Sequence, residues 1–161
     1  MTDRADLGGD PACWAHLFDD ARDLPDLDDV VGIETLVRAF YRRAAMDDLL
    51  GPVFEAADVD WASHIPTVVD FWCWQLLQQP GYTGNTLRAH EELQAATPFT
   101  TQHFERWLEL FDDTVDDLFA GPHAENAKAR AAKMAAALQR LLAGPAGDPA
   151  DPVAVSLTKR R

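Results

Sequence analysis

From Val30 onward the long apolar stripes of this chain recur at intervals of three and four, and alternation never runs beyond about five residues. That period restricts the fold to amphipathic helices packed on one another, because a half-buried strand buries every second residue. Ile33, Leu36, Val37, Phe40, Tyr41 and Ala44 set the first stripe, over Val30 to Met46, and Gly51-Pro52 is expected to end it and turn the chain. The second lies in "DWASHIPTVVDFWCWQLL" (60–77), where Trp61, His64, Ile65, Val68, Phe71, Trp72, Gln75 and Leu76 share one broad face. Proline is tolerated in a first helical turn but costs about 3 kcal/mol in a helix interior. Either Ser63 caps a helix beginning at His64, or Asp60 caps a longer one that kinks at Pro66; both put His64 near a helix end, facing inward. "QQPGYTGN" (78–85) is a loop, and "TLRAHEELQA" follows it with two or three turns, capped by Asn85 or Thr86, with Leu87, His90 and Gln94 on one face. Beyond Pro98, a helix over 101–119 turns Phe104, Trp107, Leu108, Phe111, Val115 and Leu118 inward. An alanine-rich helix over 124–142 does the same with Met134, Leu138, Leu141 and Leu142.

A length of 161 residues with 47% hydrophobic content suits one domain with a single core. The net charge of −13 repels phosphate backbones and anionic lipid heads, so no nucleic acid and no membrane is expected as a partner. Nine Asp against two Arg in residues 1–29 put more than half of that charge in an acidic N-terminal extension, whose composition predicts partial disorder. "GPAGDPADP" makes 144–161 a Pro/Gly-rich disordered tail, leaving 30–143 as the folded domain. Cys13 and Cys73 match neither a disulfide framework nor a zinc spacing, which favours a reducing, cytoplasmic setting. The N-terminus lacks the apolar core of a signal peptide, and no apolar run approaches the ~18 residues that span a bilayer.

Several chemistries are excluded by spacing. No Glu stands three residues before a histidine, as a helical di-iron site requires, and "HEELQ" (90–94) has Gln94 where a zinc hydrolase needs its second His. Covalent-haem, phosphate-loop and nucleophile-elbow motifs are missing too. What remains is His64 and His90, both inward, on different helices and among aromatic residues. A large planar apolar ligand carrying one metal ion would account for that combination, and haem is such a ligand. Each histidine taken singly reads more readily as a hydrogen-bonded core or boundary residue, and spacing alone does not overturn that for the pair.

"FYRRA" (40–44), "GPVF" (51–54), "HIPTVVDFW" (64–72), "GYTGNTLRAH" (81–90) and "HFERWLELF" (103–111) together resemble the truncated haemoglobins, specifically their third group, over about residues 30–142. The resemblance implies a shortened two-over-two globin sandwich of α-helices around haem b (iron protoporphyrin IX). His90 is then the proximal iron ligand, with Tyr41, His64 and Trp107 on the distal side. Phe54, Phe71, Trp72 and Phe104 are expected to line the pocket, and Arg88 to face the haem propionates. Three departures stand out: Val68 replaces the usual Met and reshapes the distal wall, Thr86 replaces a Pro, and Glu91-Glu92 follow the ligand where an apolar residue is commoner. A sole imidazole ligand is oriented through its second nitrogen, here by a backbone carbonyl near Thr86 in preference to Glu91 or Glu92.

By this resemblance the chain binds O2, NO and CO. Several distal donors imply slow release, which suits NO dioxygenation or peroxide and redox detoxification, with a reductase as partner, better than bulk oxygen transport. A six-coordinate haem sensor or electron carrier, with His64 on iron, is the nearest alternative. A haem-free helical interaction domain is the other.

Overall fold

The computed structural model describes residues 23–142, which hold six helices: α1 (Val30–Ala45), α2 (Gly51–Ala56), α3 (Trp61–Leu77), α4 (Thr86–Ala96), α5 (Thr101–Leu118) and α6 (Pro122–Leu142). No strand occurs among the described residues. Most of the acidic extension and the whole Pro/Gly-rich tail lie outside them. α1 packs on α3 and α5 on α6, and the two pairs meet through α1 with α5 and α3 with α6. The fold is therefore all-α, one helix pair laid over another, with α2 against α1 and α4 against α6 closing the ends.

At the crossing sits Phe111, fully buried, stacked on Trp72 (ring centroids 4.9 Å apart) and on Trp107 (5.3 Å). Phe40 meets both Phe111 and Trp107 edge-on, so α1, α3 and α5 are joined by one aromatic cluster. α6 presents Ala124, Ala127, Ala131, Ala135 and Leu138 to the core. Such small side chains let helices approach closely. The same stripe corrects one expectation. Leu141 falls between Leu138 and the half-buried Leu142 and is 64% exposed.

Helix α3 begins at Trp61, with the Asp60 carboxylate accepting from Ala62 N at 3.1 Å, so the longer, Asp60-capped alternative is the one adopted. Pro66 lies inside the helix and has no N–H to offer the preceding turn. Nearby hydroxyls bond carbonyls of that turn, Ser63 to Asp60 O and Thr67 to Ser63 O. Gly51-Pro52 also differs from expectation. It opens the short helix α2, because a proline in the first turn gives up only an N–H that had no partner there.

The packed unit also reaches back before Val30. Leu27 is wholly buried, although the charge count groups it with the acidic extension. Beside it, the Asp26 carboxylate caps α6 from far along the chain, accepting from His123 N (3.1 Å) and Ala124 N (2.9 Å), with the His123 ring at 2.8 Å. Gly121 makes this approach possible: its φ is +136°, and an added Cβ would lie 2.5 Å from Asp26 Cγ.

Candidate functional site

Between the helix pairs lies a cavity of about 350 Å3, within the range of about 300–1,000 Å3 usual for cofactor sites. Tyr41 from α1, Phe54 from α2, His64, Val68, Phe71 and Trp72 from α3, His90 from α4, and Phe104 and Trp107 from α5 all line it. Residues far apart in sequence thus converge on one mostly apolar chamber. Arg88 is not brought to its wall; the guanidinium side chain is 76% exposed and pairs with Glu92 at 3.2 Å, on the outer face of α4.

His90 is held by its own helix. Asn85 caps α4, its side chain accepting from Arg88 N at 3.1 Å. One turn before the histidine, the carbonyl of Thr86 lies 2.7 Å from His90 Nδ1. The carbonyl can only accept, so Nδ1 carries the proton and Nε2 keeps its lone pair. The orienting group is the backbone, and Glu91 is solvent-exposed. The hydroxyl of Thr86, where the resemblance expects proline, bonds Tyr82 at 2.9 Å. Tyr82 folds back over Gly84, where any Cβ would strike the phenol ring at 2.8 Å, and its ring meets Phe71 edge-on.

His64 faces the same cavity from the first part of α3. Tyr41 meets its ring edge-on at 4.9 Å, and Trp61 and Phe54 complete a four-ring cluster over that end. His64 Nε2 is buried without any hydrogen-bond partner. A buried nitrogen left unpaired is costly and in a native protein calls for a ligand or water. Burial lowers the pKa of His64, as does the neighbouring His90; burial also lowers that of His90, partly offset by the Thr86 carbonyl. Both imidazoles are therefore neutral near pH 7, the state a metal ligand requires. Burial drives the Tyr41 phenol well above its ordinary pKa, so it remains an O–H donor.

Residues not anticipated as site members also line the cavity, among them Phe99, His103, Tyr82, Met134 and Leu138. Phe99 follows Pro98 in a loop, where helical periodicity carries no information. Met134 and Leu138 have a clear core periodicity that does not say which cavity they face. Among the described residues, no group of three or more His, Cys, Asp or Glu side chains could hold a bare metal ion.

A two-over-two helical sandwich enclosing an apolar slot between imidazoles from α3 and α4 defines a globin-type protein. The chain is 33% identical over 91 residues to the group 3 truncated hemoglobin ctb of Campylobacter jejuni, an alignment covering 54% of this chain and 69% of that protein. A crystal structure of group III truncated hemoglobin from Campylobacter jejuni superposes with a TM-score of 0.64 at 28% identity, covering 71% of this chain and 91% of that one. The structure of Chlamydomonas reinhardtii THB1 gives 0.54 at 26% identity, with 70% and 88% covered. No family model matches the chain. It belongs to the truncated haemoglobins, group 3.

Proposed function

We propose that this chain binds haem b in the chamber between α3 and α4 and, through it, O2 and related diatomic ligands. One observation carries the reading: two neutral imidazoles face a single apolar cavity, His90 with Nδ1 tied to the Thr86 carbonyl and His64 with Nε2 buried and unpartnered. Bound haem would supply an iron atom with a position open to O2, NO or CO.

The chain's own residues supply the rest. Nε2 of His90 is the nitrogen free to bind the metal, and Thr86 fixes the ring's direction. Tyr41 and Trp107 line the cavity from α1 and α5, and in this reading their O–H and N–H would serve a ligand on the His64 side. Donors aimed at developing negative charge in a dry pocket strengthen it far more than they would in water. Tyr41, Phe54, Trp61 and His64 pack ring on ring beside that side of the cavity. Strong retention of O2 suits a protein that consumes its ligand, as in NO dioxygenation or peroxide removal, better than a carrier that must release it. Such turnover requires a reductase. No described helix is long and apolar enough to cross a membrane.

The unpartnered Nε2 of His64 also supports a second reading, in which His64 itself takes the second axial position, as in a six-coordinate sensor or electron carrier. Titration of the purified apoprotein with hemin tests the primary proposal. A sharp Soret band that saturates at stoichiometry, and is lost or strongly shifted in His90→Ala, is expected. Absence of any saturable band would leave the fold without its haem.

A further inference from the structure

Resting on the haem reading above, we propose that His103 holds a carboxylate of the bound tetrapyrrole at the mouth of the cavity, the role the resemblance assigns to Arg88. Three observations converge on it. The wall of the cavity contains no lysine, arginine, aspartate or glutamate, so an anionic ligand edge meets no side chain of fixed charge there. His103 does line the wall, from the first turn of α5, next to the exposed residues Thr100, Thr101 and Gln102. Phe99 packs against both His90 (6.3 Å) and His103 (6.2 Å), which fixes His103 on the His90 side of the chamber, at its solvent end.

The tautomer follows from the capping geometry of α5. Thr100 N, which can only donate, gives its hydrogen to His103 Nδ1 at 3.1 Å, and Thr100 Oγ1 lies 2.8 Å from the same nitrogen. With Nδ1 held as acceptor, the ring proton of the neutral imidazole sits on Nε2, which becomes a pure donor. A donor in the first turn of a helix, reinforced by the dipole of an 18-residue α5, favours a negative partner. Arg88 is absent from the cavity wall and pairs with Glu92 on the exposed side of α4.

The test compares hemin with hemin dimethyl ester, which has the same ring and metal but no carboxylates. His103→Glu is the variant of choice, because Glu at the third helical position keeps the acceptor for Thr100 N while replacing the donor with a negative charge. Equal thermal unfolding of the two apoproteins checks that the cap is kept. Loss of the ligand to excess scavenger apoprotein is followed at the Soret band. The parent should release hemin about tenfold more slowly than the ester, in line with the loss of one hydrogen bond to a charged group. His103→Glu should release hemin at least about tenfold faster than the parent and the ester at the parent's rate. Equal retention of hemin and ester by the parent overturns the proposal without any variant. Parallel acceleration of both ligands in His103→Glu reduces His103 to a packing residue and also overturns it, as does unchanged hemin release. A parent that gives no Soret band with either ligand overturns the haem reading itself, which separates that failure from this one.

Discussion

Replacing Asp26 with Asn should weaken the fold, and the loss should shrink in acid. The carboxylate sits between the chain ahead of α1 and the start of α6, whose Met134, Ala135 and Leu138 wall the cavity. Burial by itself would raise its pKa. The His123 ring and the N–H groups of Ala124, His123 and Leu27 outweigh that and bring it from 3.8 to about 2. At 1.36 kcal/mol for each tenfold change in proton affinity, this corresponds to at most about 2 kcal/mol of stability at neutral pH, solvent reaching 22% of the side chain. The sign follows from the direction. A carboxyl that is more acidic folded than unfolded stabilises fully above its unfolded value of 3.8, and the contribution fades as pH falls toward about 2. Urea unfolding of parent and Asp26→Asn, followed by far-UV circular dichroism from about pH 6 down to about pH 2.5, should show a gap of about 1–2 kcal/mol that narrows to about a third of that at the acid end. A gap that stays constant across that range would mean that shape, not charge, holds the cap. No gap at any pH would mean that α6 is capped without Asp26.

Three further outcomes follow from the geometry. Tyr41→Phe and Trp107→Phe should each speed O2 release about tenfold to a hundredfold while changing CO release much less, since CO develops less charge for a donor to meet. Stopped-flow rates equal to the parent's in both variants would return these residues to core packing. Ferrous haem in the parent should be five-coordinate, with His64 free; a bis-histidine ferrous spectrum abolished by His64→Leu would instead favour the six-coordinate sensor or electron carrier. Phe111→Ala removes the ring on which Trp72 and Trp107 both stack and should cost about 3–5 kcal/mol in denaturant unfolding. A loss below about 1 kcal/mol would show that the aromatic cluster closes over the gap.

Period and punctuation were enough to place five of the six described helices, α2 being the exception. The three-four spacing of apolar residues fixed α1, α3, α5 and α6 to within a few residues. Asn85 marked the start of α4, because caps and periodicity act between neighbours in sequence. Even so, Gly51-Pro52 reads the same whether it ends one helix or begins the next, and only the packing of α2 on α1 decides. The candidate site was legible in its residue types. Tyr41, His64, His90 and Trp107 each fall on an inward face, but sharing a stripe does not say that four helices point at the same volume. That depends on how α1 and α3 cross α5 and α6, which residue spacing within one helix cannot carry. The tertiary structure also decided the polar contacts. Asp26 reaches His123 and Ala124, and His103 acquires a defined tautomer and a place on the cavity wall. Arg88, two residues before the histidine in sequence, is turned away from the cavity, because residues two apart on a helix point in widely different directions.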